Sequence, residues 1–206
     1  IIDLTSPYTG RRSTPQITIE TVALCSADTA YTGLVYHLNT DSMQGTYLDL
    51  PGHIQETDDG RRADTLPVHE LFRRPATVLH LERTAQPGPV SAHDLQAALG
   101  QRTCLDTIVI HALGRNNSFQ IPERSVFLDD SAAEWLVNSP CQWLISDIYE
   151  STALHGVFLK LFAAGIATVC EPQNLHRLTA PEVLLPIMFP AWPAVTQIPC
   201  RILAEV

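Results

Sequence analysis

The chain has 206 residues and a mass of 22.7 kDa, a length that fits one domain with a buried core of ordinary size. Hydrophobic residues make up 45% of the sequence and charged residues 17%, which excludes a disordered chain and a coiled coil. The net charge of −9 argues against a nucleic-acid-binding face, because such a face concentrates lysine and arginine.

Short apolar runs bounded by proline and glycine predict strands along the whole chain. The predicted strands cover residues 1–4, 17–24, 33–39, 76–81, 107–112, 142–146, 166–170 and 200–204. Strands come first and alternate with helices later, which indicates an α/β domain with a mixed sheet.

Helix starts are marked by a hydroxyl side chain three residues before a carboxylate, the spacing of a capping box. Ser91 and Asp94 have this spacing at the start of a helix that ends at Gly100. Ser131 and Glu134 repeat it and predict a second helix. A third helix is predicted over residues 152–164.

No segment predicts a targeting signal or a membrane span. The apolar run 157–169 is interrupted by Lys160 and is shorter than the ~20 residues that a bilayer requires. The first residues, IIDLTSPY, lack the basic start and the apolar stretch of a signal peptide. The five cysteines form no CxxC pair and are odd in number, a pattern that favours reduced thiols and a cytoplasmic location.

The common catalytic motifs are missing: the sequence has no GxSxG, no phosphate-binding GxxxxGK[ST], no GxGxxG after a strand and no HExxH. A polar group remains in the segment 45–53, Gly-Thr-Tyr-Leu-Asp-Leu-Pro-Gly-His. Asp49 and His53 lie around its Pro-Gly turn. By spacing alone, Asp49 is equally well explained as a turn cap and His53 as a surface residue.

The segment 43–53, Met-Gln-Gly-Thr-Tyr-Leu-Asp-Leu-Pro-Gly-His, resembles a family motif of the form His-x-Gly-Thr-His-x-Asp-x-Pro-x-His. The family is the cyclase family that includes bacterial kynurenine formamidase and isatin hydrolase. Further blocks resemble it in the same order along the chain, at residues 1–8, 145–151, 161–171 and 199–204. The resemblance implies one swivelling β/α/β domain over residues 1–206, with a mixed β-sheet and a few flanking helices.

The resemblance also implies that the metal site of the family has degenerated. Family members bind two divalent metals through three histidines, an aspartate and a glutamate. Met43, Tyr47 and Leu159 stand in the three histidine positions, and only Asp49 and Glu171 remain. Thioether, phenol and alkyl side chains do not replace imidazole as zinc ligands. We therefore expect no metal and no other cofactor.

Without the metals, we expect Asp49 and Glu171 to face each other and to share a proton, because like charges raise one of the two pKa values. His53 matches the proton-transfer histidine of the motif, and Tyr47 adds a phenol. The expected catalytic residues are therefore His53, Asp49, Glu171 and Tyr47, acting by general acid–base catalysis.

Four further side chains are expected to contact the substrate. Met43 and Leu159 occupy former ligand positions. His155 lies one predicted helical turn before Leu159. His111 ends an apolar strand, where the sites of α/β proteins collect.

Three functions stay open at this point. The first is a metal-independent cyclase or lyase that acts on a small natural product such as a polyketide. Twelve arginines against one lysine indicate a GC-rich genome, which favours a natural-product substrate. The second is a metal-dependent amide or lactam hydrolase with a rearranged site that uses His155, His37 or His111. The third is a non-catalytic binding subunit.

The family further implies a homodimer or a larger homo-oligomer. In the family an aromatic loop of one subunit closes the site of another, and the matching region here is 8–15. A small-molecule substrate is expected, with no nucleic acid and no membrane as partner.

Overall fold

The fold alternates short strands with helices in the computed structural model, which describes residues 1–8, 14–81, 83, 86–116 and 120–206, apart from the side chain of residue 68. The strands of this part of the chain are β1 (Ile2–Asp3), β2 (Gln16–Cys25), β3 (Ala30–Asn39), β4 (Tyr47–Asp49), β5 (Arg74–His80), β6 (Gly88–Val90), β7 (Thr107–His111), β8 (Val126–Leu128), β9 (Trp143–Ser146), β10 (Ala167–Cys170), β11 (Glu182–Leu185), β12 (Ile187–Met188), β13 (Gln197–Pro199) and β14 (Arg201–Ala204). The α-helices are α1 (Ala92–Leu99), α2 (Asp130–Asn138) and α3 (Val157–Ala163). Short 3-10 helices cover Pro51–His53, Gln55–Thr57, Val68–Glu70 and Leu175–Arg177.

A seven-stranded mixed sheet in the order β11-β5-β7-β9-β10-β4-β13 forms the centre of the fold. The four strands β5, β7, β9 and β10 are parallel, while β4 and β11 run antiparallel to them. Parallel neighbours need crossover connections, and α1, α2 and α3 lie in the three connections. The carboxyl ends of the four parallel strands therefore meet at one edge of the sheet, which is where ligand sites of such sheets form.

Apolar side chains cover both faces of this sheet. On one face, α1, α2 and α3 bury residues such as Leu95, Leu136 and Leu161. On the other face, a three-stranded sheet of β1, β14 and β12 and several loops bury a second cluster around Trp143. These features confirm the predicted α/β fold with a mixed sheet and flanking helices.

The strands β2 and β3 form a hairpin of ten residue pairs outside the central sheet. Nearly all of its residues are exposed. The predicted strands 17–24 and 33–39 are confirmed, but their apolar residues do not belong to the core.

The helix predictions need two corrections. The capping box of Ser91 and Asp94 is present as predicted. The second helix, by contrast, is capped by Asp129, whose carboxylate accepts the amide hydrogen of Ala132 at 2.9 Å. Ser131 instead lies inside the first turn, and its hydroxyl accepts a hydrogen bond from the amide of Ala92 at 2.9 Å.

The third helix starts at Val157, five residues later than predicted. The buried carboxylate of Glu150 explains the late start, because it accepts the amide hydrogens of His155 at 2.6 Å and of Val157 at 2.8 Å. These bonds hold the preceding residues in a loop in which Leu154 and Gly156 have positive φ angles. None of the helices in the described ranges is long and apolar enough to cross a membrane.

Candidate functional site

The Gly-Thr pair of the motif joins three segments at the sheet edge. A Cβ atom on Gly45 would lie 2.6 Å from the carbonyl oxygen of Ser6, so only glycine allows this approach of the N-terminal segment. The buried hydroxyl of Thr46 accepts the amide hydrogen of Ser6 at 2.7 Å and donates to the carbonyl of Glu171 at 2.8 Å. Thr46 therefore fixes the chain immediately after β10.

Glu171 adopts a left-handed backbone conformation with φ of 57°. This conformation is unfavourable for a residue other than glycine, and such strain is concentrated at functional sites. The hydrogen bond from Thr46 to its carbonyl helps to hold Glu171 in place.

A cavity of about 80 Å³ lies beside this segment. Its lining combines carboxylates, an arginine and aromatic or aliphatic side chains. The lining residues are Tyr47, Leu113, Ile121, Glu123, Arg124, Val126, Ser146, Asp147, Ile148, Tyr149, Glu150, Phe158, Cys170 and Glu171. Of the four expected catalytic residues, Tyr47 and Glu171 belong to this lining.

Asp49 is buried on β4 and is absent from the cavity lining. Its Oδ2 atom lies 3.6 Å from the Sγ atom of Cys170, and burial raises the pKa of this thiol well above its usual range. In the pairing of β4 with β10, Asp49 lies opposite Thr168. Thr168 precedes Glu171 by three positions, which corresponds to roughly 10 Å along a strand. The sharing of a proton between Asp49 and Glu171 therefore stays a prediction.

His53 is exposed at the end of the Pro51–His53 helix and does not line the cavity. Its Nε2 atom lies 3.3 Å from the amide nitrogen of Gln197, whose side-chain oxygen accepts a hydrogen bond from Ser42 at 2.5 Å. The amide nitrogen can only donate, so Nε2 of His53 is the acceptor in this pair.

Comparisons with known proteins agree with this architecture. The family model described as Putative cyclase matches residues 2–151. The chain belongs to the Putative cyclase family. A comparison with curated proteins found no match.

Solved structures match the chain over nearly its whole length. A protein described as a predicted metal-dependent hydrolase from Bacillus stearothermophilus is 17% identical, with a TM-score of 0.69 over 98% of this chain and 96% of that chain. Isatin hydrolase A from Labrenzia aggregata, bound to benzyl benzoate, is 16% identical, with a TM-score of 0.71 over 98% of this chain and 92% of that chain. A protein described as a novel cyclase is 12% identical, with a TM-score of 0.70 over 98% of this chain and 87% of that chain. At these identities the likeness establishes the fold, and with the family match it supports an enzyme of the Putative cyclase family.

The donor set of this chain does not fit the dinuclear metal centre that the family resemblance implies. In the described part of the chain, no group of three or more His, Cys, Asp or Glu side chains is arranged to hold a metal ion. Met43 packs against the core cluster that contains Tyr47, and Leu159 has no donor atom and is 47% exposed. The positions that supply imidazole in the family supply no zinc ligand here.

The expected substrate contacts lie outside the cavity lining. Met43, Leu159, His155 and His111 are all absent from it. His155 does not lie on α3, as the prediction required, but precedes it, and its ring lies 5.6 Å from the ring of Phe127. His111 is buried at the end of β7, where it contacts His80. The region expected to act as an aromatic loop, 8–15, lies outside the described residues between 9 and 13.

Asp147 is a cavity residue that was not among the expected site residues. It follows β9, and its carboxylate accepts the amide hydrogens of Ala112 at 2.9 Å and Leu113 at 3.1 Å. Burial raises the pKa of Asp147 from 3.8 to about 7, although these two hydrogen bonds oppose the shift. The signal that could have identified it is its place directly after a buried parallel strand.

Proposed function

We propose that the chain is a metal-independent enzyme of the cyclase or lyase type, which acts on a small natural product such as an aromatic polyketide by general acid–base catalysis. The observation that carries the proposal is the composition of the cavity. It combines Glu171 and Asp147 with the phenol of Tyr47 and the guanidinium of Arg124, and, among the described residues, its lining contains no imidazole.

These groups can supply the proton transfers of an enolisation. One carboxylate, for which Glu171 is the candidate, removes a proton from the carbon next to a carbonyl, and the C–H electron pair becomes part of the C=C bond of an enol. A neutral acid donates a proton to the carbonyl oxygen. Asp147, with its pKa of about 7, can hold that proton at neutral pH. Arg124 offers positive charge to the developing enolate.

The shape and the walls of the cavity favour the reacting end of a flat, apolar substrate. Tyr149 and Phe158 stack with ring centroids 4.9 Å apart and belong to its lining. The volume of about 80 Å³ is well below the roughly 300 Å³ of common ligand pockets. We therefore expect only a few substrate atoms to enter, with the remainder outside.

The test is the exchange of the α-protons of 1-tetralone, an aryl ketone, for deuterium in D2O, followed by proton NMR. We expect exchange that is insensitive to EDTA and lost in Glu171→Gln. Exchange that EDTA abolishes and zinc or manganese restores would contradict the proposal. Binding of the ketone without exchange would favour the non-catalytic alternative.

The second function considered, a metal-dependent lactam hydrolase, is tested with isatin, whose ring opening changes its absorbance. We expect no turnover of isatin with or without added zinc. Zinc-dependent ring opening would favour the hydrolase instead.

We also propose that the chain forms a homo-oligomer through one face of the β2–β3 hairpin. Ile17, Ile19, Leu34, Tyr36 and Leu38 lie on this face and are each between 55% and 67% exposed. An isolated two-stranded hairpin is marginally stable in water, so covering this face by a second copy would stabilise it.

The mass in solution, measured by light scattering after size-exclusion chromatography, tests the oligomer. Ile19→Lys places a charge on the apolar face, and we expect it to shift the mass to that of a monomer. Thr18→Lys, on the opposite face of the same strand, is the control and keeps the mass of the wild type. A monomeric wild type would contradict the proposal. The cytoplasmic location and the absence of nucleic-acid and membrane partners stay predictions.

A further inference from the structure

Two histidines meet at the carboxyl ends of β5 and β7. The Nδ1 atoms of His80 and His111 lie 2.8 Å apart, and the rings pack edge to face. The Nε2 atom of His80 lies 2.6 Å from the carbonyl oxygen of Leu178, and that of His111 lies 2.8 Å from the carbonyl oxygen of Gly114. His80 is exposed, whereas His111 is buried.

These three contacts together require three ring protons. A carbonyl oxygen only accepts, so both Nε2 atoms must carry a proton. A neutral imidazole carries a single proton, so two neutral rings would present two bare lone pairs to each other across 2.8 Å. The third contact becomes a hydrogen bond only when one more proton lies between the Nδ1 atoms. The complete network therefore carries one positive charge.

The contacts connect two segments that follow cavity residues along the chain. Gly114 follows Leu113, which lines the cavity. Leu178 follows the Leu175–Arg177 helix, which lies four residues after the cavity residue Glu171. Neither histidine has a role in the acid–base chemistry proposed above.

We propose that His80 and His111 form a pH-dependent clamp, in which one shared proton ties the loop after β7 to the segment around Leu178. When the shared proton leaves, three contacts must be made with two protons, and one contact opens. The exposed His80 loses its hydrogen bond to the carbonyl of Leu178, because water can replace that partner. The buried His111 keeps its hydrogen bond to the carbonyl of Gly114.

The charges around the clamp set the pH range in which it opens. Burial lowers the pKa of His80 and of His111, so the shared proton leaves below the usual value of 6.5. Arg102 opposes the shared proton and Asp147 favours it. The other titratable or charged groups on the neighbouring elements, among the described residues, are His176 with Arg115 and Arg177 beside it, and Arg83, His93 and Asp94, which line a pocket together with His80. The clamp is therefore closed in acid and opens towards neutral pH.

Nitrogen-detected NMR of the two imidazole rings in the 15N-labelled full chain tests the shared proton directly. We expect both rings to titrate together, with one common midpoint below 6.5 and the loss of one proton from the pair. His69, exposed on the Val68–Glu70 helix, is the internal reference. Two rings that titrate independently, or a pair that stays neutral down to about pH 4, would overturn the proposal.

Hydrogen exchange of the backbone amides at 175–179 tests the mechanical consequence. After correction for the intrinsic pH dependence of exchange, we expect wild-type protection to fall about fivefold from pH ~5 to pH ~8. His80→Gln retains a donor for the carbonyl of Leu178 but does not titrate, so its protection should be equal at both pH values. His69→Gln, at an exposed histidine away from the pair, is the matched control and should behave like the wild type. Constant wild-type protection, or a fall that persists in His80→Gln, would overturn the proposal.

Discussion

Replacing Asp147 by asparagine should change the stability of the protein in a way that depends on pH. Burial raises the pKa of Asp147 from 3.8 to about 7 in the folded state. Between these two values the folded protein holds a proton on Asp147 that the unfolded chain has lost. Unfolding therefore releases a proton, and this residue lowers the free energy of unfolding as the pH rises.

The magnitude follows from the pKa difference. One pKa unit corresponds to ~1.4 kcal/mol, so ionisation of Asp147 should lower the free energy of unfolding by about 2 kcal/mol between pH 5 and pH 7. Asp147→Asn has no ionisable group and loses at most part of the two backbone hydrogen bonds, about 1 kcal/mol at any pH. The variant should therefore be slightly less stable than the wild type at pH ~4, more stable from pH ~5 upward, and about 3 kcal/mol more stable at pH ~7.

Urea unfolding, followed by circular dichroism at several pH values, measures this difference. All other titrating groups are common to the two proteins, so their contributions largely cancel. Asp64→Asn, which removes an exposed carboxylate, is the control for the loss of a side-chain charge. A pH-independent difference for Asp147→Asn, or one in which the wild type gains stability as the pH rises, would refute the reasoning.

Three further variants test the candidate site. Thr46→Val removes the hydroxyl that joins Ser6 to Glu171, and urea unfolding should show a loss of about 2 kcal/mol, because two buried groups lose their partner; a loss below ~0.5 kcal/mol would contradict this. Glu171→Gly relieves the backbone strain of the positive φ angle, so it should be about 1 kcal/mol more stable than Glu171→Gln. Both variants should abolish exchange of 1-tetralone. Equal stability of the two variants would show that the φ angle is not strained. His53→Ala should leave the exchange rate of 1-tetralone unchanged, because His53 does not line the cavity; a rate lowered about 100-fold would show that it transfers a proton.

Local sequence signals predicted the elements whose causes are local. The capping box at Ser91 and Asp94 was predictable because both hydrogen-bonding partners lie within four residues. The start of α3 was not, because the group that delays it, the carboxylate of Glu150, precedes the helix by seven residues and leaves no periodic pattern. The short strand β13 was missed because its three residues carry no alternation long enough to detect.

The family resemblance named Tyr47, Asp49, His53 and Glu171 together, but only Tyr47 and Glu171 line the cavity. Asp49 and Tyr47 share a face of β4, but the register with β10 sets Tyr47 opposite Cys170, next to Glu171, and Asp49 opposite Thr168. Such a register is fixed by pairing across the chain and cannot be derived from spacing within a motif.

Composition alone does not show the structural role that arginine has in this protein. The excess of arginine over lysine was interpreted as genomic bias, but the side chain of Arg102 donates to the carbonyls of Val78, Ala98, Leu99 and Pro181. Arg74 likewise bonds Thr107 and Asp106. A lysine ammonium does not reproduce the fixed fork of donors that binds several oxygens at once, so part of the excess has a physical reason.

The metal content of the native protein tests the central claim most directly, because it needs no substrate. Elemental analysis of protein purified without chelator and without added metal gives the zinc and manganese per chain, and calorimetric titration with zinc gives the affinity. The account predicts far less than one equivalent of either metal and no tight binding, since Met43, Tyr47 and Leu159 supply no imidazole. One or two tightly bound ions per chain, lost together with activity on dialysis against a chelator, would contradict it.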